Sequence, residues 1–453
     1  MRLEALTTTP AAAGRRTATA DAADWNSSRW FLVSQSILVF TLLAAPLAFG
    51  AVQPWASTAI VGLAVLALFC WALGCLRIQT MVLARTYLYV PALLFLVLAL
   101  CQLLSGRSMD SIATRDDFIL GCAYFILFTL AATLFSNAQE RWSQFGRTIT
   151  IYTLFLSLFA ILQFLTAPDK IYWTIVPRWG GYIFGPYVNH NHYAGLMEML
   201  VALTATFWLG RRRRDGWNWL AGFATLIGLA SVALSGSRAG VGSVLIEMLL
   251  LGGMALLAQR RHNLGSPVPA LALALLCATL LAAWMLPEET TERFRPTIDP
   301  HDASFTDRVS MAGDSLRIFR THMLMGVGLG AFETAYPAQQ TFASDKRVDH
   351  AHNDYAEALA ETGLPGALLI ASGLILFVRQ GLRNLRLILE PGKDSSAWLR
   401  MGATIGCLGL LVHSYFDFNL HIPANAAWFA VCAGLASASV ERTDGRLLDN
   451  GRY

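Results

Sequence analysis

The chain has 453 residues, of which 55% are hydrophobic and only 14% charged, against about a quarter charged in an ordinary soluble protein. With a mean hydropathy of +0.48 it cannot supply the charged shell a soluble fold of this length needs, which excludes two or three soluble domains. The net charge of +4 is less informative than its placement. Arg211 to Arg214 and the Arg260–Arg261 pair lie between apolar stretches. There they read as cytoplasmic anchors of membrane helices and not as a nucleic-acid surface.

In chain order, residues 1–29 are polar, rich in Ala and Thr, and read as a disordered cytoplasmic tail. The apolar run from Trp30 is too long, and followed by too many others, for a cleaved signal peptide. Further runs fall at about 56–76, 86–104, 117–136, 146–166, 191–209, 217–234, 239–258, 266–286, 364–383, 398–416 and 421–438. Backbone groups in lipid must be satisfied within their own segment, so each run is expected to be a helix. The expected fold is therefore all-α: a polytopic membrane protein with about 12 transmembrane helices over 30–438, both termini inside, and a cytoplasmic C-terminal tail at 439–453. The inner connections, Arg77–Arg85, Asn137–Arg147, Arg211–Gly216, Gln259–Gly265 and Arg383–Ser396, all carry Arg or Lys. One outer loop, 287–362, runs for over seventy residues. It is expected to hold short helices, one over Asp307–Thr321, and a tight turn at Gly326, Gly328 and Gly330. The seven cysteines form no CxxC or Cys/His spacing and read as small packing residues.

Four polar sites stand out against this background. Ser235-Gly236-Ser237-Arg238-Ala239-Gly240 puts an Arg on the outer side, where the positive-inside rule disfavours it. The outer loop carries Arg293, Arg295, Arg308, Arg317, Arg320, Lys346 and Arg347. A guanidinium grips phosphate through two parallel hydrogen bonds, so an anionic ligand is indicated, with Arg308 the first candidate and Arg317 the reserve. Asp349-His350-Ala351-His352-Asn353-Asp354-Tyr355-Ala356-Glu357 supplies His350 and His352, suited to taking a proton from a hydroxyl, and a helix cap at Asn353 or Asp354. Two His at i, i+2 also raise a metal pair, but no third ligand follows at a sensible spacing, so no metal is expected. Finally, Asn189-His190-Asn191-His192-Tyr193 reads either as a sugar-binding surface, through Asn189, Asn191, His192 and Tyr193, or as a capped helix start with interfacial aromatics. Glu198, Glu247, His413 and Asp417, within or near spans, line a cavity or pair internally.

Together these pieces resemble the bacterial O-antigen ligase and O-antigen polymerase superfamily. The resemblance rests on Phe49-Gly50-Ala51-Val52-Gln53-Pro54-Trp55-Ala56, Asn189 to Gly195, Ser235 to Gly240, and His350 to Tyr355 followed by Glu361-Thr362-Gly363-Leu364-Pro365-Gly366. It implies a multi-pass glycosyltransferase of the bacterial inner membrane whose active site and large loop face the periplasm. It implies transfer of a glycan from undecaprenyl diphosphate to an acceptor sugar on the lipid A core, or to a second lipid-linked glycan in a polymerase. Catalysis is implied to be free of cofactors and metal, with Arg238, Arg308 and His352 as catalytic residues, and in-line displacement at the anomeric carbon predicts inversion. His350, Asn353 and Arg317 join Asn189, Asn191, His192 and Tyr193 as expected substrate-binding residues. The implied partners are the lipid-linked donor, the acceptor and membrane lipids, with no nucleic acid. A transporter of lipid-linked saccharides, and a receptor or assembly subunit docking through the basic loop, are the competing readings. The transporter predicts two related halves, and no internal repeat is evident.

Overall fold

The structure, a computed structural model, describes residues 28–135, 139–177, 182–211, 215–262, 303–342, 347–390 and 395–437. The described residues are helical, with two isolated β-bridges and no named strand. In order the helices are α1 (Arg29–Leu47), α2 (Pro54–Ile78), α3 (Tyr89–Leu104), α4 (Ser111–Leu134), α5 (Gln139–Thr166), α6 (His190–Gly210), α7 (Gly216–Leu234) and α8 (Arg238–His262). They continue with α9 (Ala303–Thr321), the short α10 (Phe332–Ala335), α11 (Asp354–Leu389), α12 (Ser395–His413) and α13 (Pro423–Ser437).

Eight of these, α1, α2 and α4 to α8 with α11, are long and apolar enough to cross a membrane. Helix α3 is apolar but shorter. The apolar runs expected at 266–286 and the two tails lie outside the described residues. Two boundaries differ from the sequence reading. Helix α12 stops at His413 and α13 starts at Pro423, so the connection covers 414–422, longer than the gap at 417–420 between the apolar runs, and takes in His421 as well as Asp417. Pro423 lacks the N–H that a helix interior would require, which suits it to a helix start. The 364–383 run is the latter part of one longer helix, α11, which begins ten residues earlier and bends at Gly363.

Helix α6 is the centre of the bundle. Of its most apolar window 83% is buried, against 28% for α2. It packs against α12 along its length and touches α5, α7, α8 and α13. The helices around it turn Leu, Ile, Val and Phe outward, for instance Phe69, Leu93, Phe155, Leu249 and Leu368. Such an apolar belt costs free energy in water and none against lipid tails. One end of the bundle is basic: Arg77, Arg85, Arg147, Arg211, Arg383 and Arg386 all lie there, and a cavity of about 700 Å³ opens beside Arg379, Arg383 and Arg386. The starts of α6, α8 and α11 and the α12–α13 connection gather at the other end.

The long loop has a small core of its own, built by Ile318 of α9, Val327, Phe332, Tyr336, Val348 and Ala351. It is sewn to α11 by backbone hydrogen bonds: Val327 N–H donates to Ala360 O at 3.0 Å, Gly328 N–H to Glu361 O at 3.1 Å and Leu364 N–H to Met323 O at 2.8 Å. Buried Gln102 of α3 completes the seam, donating to Met325 O and Glu361 O and accepting from Leu329 N–H. Gly326 and Gly363 both have positive φ, of 67° and 64°. A Cβ on Gly326 would come within 2.1 Å of Glu361 O, and one on Gly363 within 2.6 Å of Met323 O. These approaches admit no side chain.

Gly326→Ala should therefore lower thermal stability of the detergent-purified protein by several degrees, through strain of about 1–3 kcal/mol or more. Gly62→Ala, where a Cβ meets nothing within 4 Å, should leave the unfolding midpoint unchanged. Equal midpoints for the two variants would remove the seam from this account.

Candidate functional site

The site end is organised by the segment Phe416-Asp417-Phe418-Asn419-Leu420-His421 between α12 and α13. Asp417 is fully buried and draws donors from several parts of the chain. Asn191 Nδ2 donates to its Oδ2 at 2.5 Å, and Phe418 N–H donates to its Oδ1 at 2.9 Å. His352 Nδ1 lies 3.1 Å from the same Oδ1, and His192 Nε2 lies 3.9 Å away. Arg308 donates from Nη1 to Phe416 O at 2.6 Å, and its charge reaches Asp417. Burial on its own would raise the Asp417 carboxyl. The His352 hydrogen bond, with the His192, His352 and Arg308 charges, more than reverses this and holds it well below the usual carboxylate range.

Local structure explains how each partner arrives. Asn189 caps α6, accepting from Asn191 N–H at 2.8 Å, which turns Asn191 and His192 into the bundle. Asn353 caps α11, accepting from Tyr355 N–H and Ala356 N–H, and donates from Nδ2 to Tyr415 O. Asp354 N–H donates to Ser414 O, and Tyr355 O–H donates to Leu411 O. These bonds fix the loop ahead of α11 onto the end of α12. His352, one residue before the cap, has φ of 48°, an uncommon left-handed conformation for a residue with a side chain. Its ring packs edge-on against Phe418, as does His192, while His350 stacks on the same ring at 4.3 Å between centroids.

Beside this lies a second cluster. His350 Nδ1 is 2.7 Å from Glu357 Oε1, and His421 Nε2 is 3.3 Å from that same oxygen. Ala351 N–H donates to Glu357 Oε2, while His421 Nδ1 is 2.8 Å from Asp354 Oδ1. His421 is buried enough that desolvation alone would lower its imidazole. The Glu357 and Asp354 carboxylates hold it well above the ordinary histidine value instead. Deeper in the bundle, His413 Nδ1 and Glu198 Oε1 meet at 2.6 Å with both side chains wholly buried, and Glu247 lies within electrostatic reach of Glu198.

The expected residues separate as follows. His352, His192, Asn191 and Arg308 converge on the Asp417 segment. Arg317 does not: it pairs with Asp314 at 3.0 Å. Nine residues apart on one helix, Arg308 and Arg317 point about 180° from each other. Asn189 and Asn353 serve as caps, and Tyr193 is buried with its O–H donating to Ser231. Arg238 opens α8 and is half-buried. Two residues on, Gly240 lies so close to α6 that a Cβ there would be 2.5 Å from Ala194, which brings the Arg238 turn beside the first turn of α6. Arg347 pairs with Glu333. Arg293, Arg295 and Lys346 lie outside the described residues. His421 escaped the sequence reading altogether, and Asp417 was one of four undecided groups. Their signal was an Asp and a His only four positions apart where two apolar runs meet.

Residues 191–371 match a protein-family model described as O-antigen ligase. The matched stretch carries Asn191, His192, Arg238, Arg308, His350, His352 and Glu357, and stops short of Asp417 and His421. No curated protein matches the chain.

The depressed Asp417 carboxyl fixes the sign of a pH effect. Its folded value lies below the unfolded one, so its stabilisation is present above the usual carboxylate range, about pH 4, and is lost as pH falls through the depressed value. Asp417→Asn should therefore unfold at a lower temperature than the native chain at pH 7, and the gap should close as the pH is taken well below 4. A gap independent of pH would mean that Asp417 acts through packing and not through its charge.

Proposed function

From the match of residues 191–371 to the O-antigen ligase family model, we propose that this membrane protein transfers a glycan from undecaprenyl diphosphate to a sugar hydroxyl of the lipid A core. The site end faces the periplasm of a bacterial inner membrane in this reading, and the basic end faces the cytoplasm. The observation that carries it is the convergence of His352, His192 and Arg308 on one buried carboxylate, Asp417.

The chemistry follows from that geometry. Asp417 accepts from His352 Nδ1–H, which leaves the Nε2 lone pair as the basic one. The acceptor hydroxyl attacks the anomeric carbon from the face opposite the leaving group and forms the new C–O bond. The anomeric carbon–phosphate oxygen bond breaks, and its electron pair departs with undecaprenyl diphosphate. The hydroxyl proton passes to His352 Nε2, and the resulting imidazolium is stabilised by Asp417. The anomeric centre is inverted. Arg238 and Arg308 meet the negative charge that develops on the leaving diphosphate. Arg308 is already held by Phe416 O, so it needs little reorganisation when that charge appears. His192, Asn191 and His350 stand around Asp417 and Phe418 beside His352, and in this reading they contact the sugars.

Replacing Arg238, Arg308 or His352 with Ala should slow glycan transfer by about 30- to 1000-fold, the equivalent of 2–4 kcal/mol of transition-state stabilisation. Arg317→Ala should be near wild type. The readout is surface polysaccharide in a deletion strain complemented with each variant at matched membrane expression. Full transfer by the Arg238 and His352 variants would overturn the reading. The deletion strain also separates the two acceptors: long unligated chains accompany loss of a ligase, whereas single repeat units on the core accompany loss of a polymerase.

A further inference from the structure

We propose that His350, Glu357 and His421 form a binding site for a divalent transition-metal ion, zinc before the others. The doubled His of the loop lacks a third ligand in sequence, and the fold supplies two. Glu357 comes from the first turn of α11, and His421 from the α12–α13 connection, 71 positions from His350 in the numbering. One donor atom from each of the three lies within 4.8 Å of the others. A tetrahedral ion with bonds of about 2.0–2.1 Å needs donors about 3.4 Å apart. The contacts to Glu357 Oε1, 2.7 Å from His350 and 3.3 Å from His421, already approach that.

The surroundings match a metal site in two further respects. First, a metal-bound histidine characteristically donates its other ring N–H to a carboxylate, which fixes tautomer and ring orientation. His421 has this arrangement: Nε2 faces Glu357 and Nδ1 faces Asp354. Asp354 is in turn held by Leu420 N–H on its second oxygen, and Glu357 by Ala351 N–H. Second, the local charge calls for a cation. Four carboxylates, Asp117, Asp354, Glu357 and Glu361, lie within electrostatic reach of His421. Among the described residues no Lys or Arg forms an ion pair with any of them. The counter-charge within this group is that of the imidazoles themselves, and a dication bound to them in their neutral form supplies it instead. Two imidazoles with one carboxylate select zinc and its first-row neighbours over magnesium or calcium, which take oxygen donors.

The ion clips the loop ahead of α11 to the turn that carries Asp417 and Phe418. It takes no part in the bond-forming step proposed above, and the inference does not rest on that step. Three protein ligands leave the fourth position to water.

The test uses the full-length protein in detergent, stripped with a chelator, desalted, and titrated with Zn²⁺ or Co²⁺. Mass spectrometry should find one zinc per chain after gel filtration, and Co²⁺ should produce a visible d–d absorption band. His421→Ala and Glu357→Gln should lose both. Asp354→Asn should weaken Zn²⁺ affinity by about 10- to 100-fold, as removal of an orienting carboxylate does. His350→Ala, on the most exposed of the three side chains, guards against misfolding as the cause, and its gel-filtration profile should match the native chain. His322→Ala, just past the end of α9 where His322 bonds Thr321 and Ile318 and not the cluster, should retain the ion. Zinc absent from the native chain, or retained equally by the His350 and His421 variants, would overturn the proposal and leave the cluster a hydrogen-bonded network.

Discussion

A carboxylate withdrawn from water must find donors on every side, and Asp417 finds them in segments remote in sequence. Asn191 reaches it from the start of α6, His352 from the loop before α11, Phe418 from its own backbone, and the Arg308 charge from α9. Removing one partner of such a group leaves an uncompensated buried charge, worth about 3–5 kcal/mol. The three elements that carry the donors are therefore tied to one another wherever Asp417 is ionised. This is why the site end is well defined although it is made largely of loop and helix-terminal residues.

The same economy governs the rest of the chain. An apolar bundle in lipid gains nothing by placing a charge at random, so its few charges fall into two groups. Arginines at one end meet the headgroup region. At the other end histidines and carboxylates satisfy one another, with Phe418 separating His350, His352 and His192. The long loop is not a free appendage. Its small core, the Gln102 bridge and the glycine contacts on α11 fasten it to the bundle, which sets the height of Arg308 over the Asp417 turn.

Much of this was legible from residue order. Apolar runs of about 20 residues announced the helices, because lipid leaves a backbone no other way to satisfy its hydrogen bonds. The α9 segment, the Gly326-Val327-Gly328 turn and a cap ahead of α6 and of α11 were readable because short polar side chains and glycines act on neighbours within a few residues; that Asn189 and Asn353 are the capping residues, and not Asn191 and Asp354, came from the fold. The motifs around Arg238 and His352 stood out as candidates, since polar and ionisable groups between long apolar runs are costly without partners.

Partnership was not legible. Nothing in the order of residues says that Arg308 and not Arg317 turns toward the Asp417 segment; helix phase decides it, together with the Asp314 that holds Arg317 elsewhere. Nor does it say that Gln102, inside an apolar run, ties α3 to the loop, or that His421 completes a cluster begun at His350. Composition and period act locally, so sequence alone determined the class, the helices and the candidate chemistry of this protein. Ion pairs and shared hydrogen bonds join residues that only packing brings within about 3 Å, so the tertiary structure alone decided which of the candidates stand together.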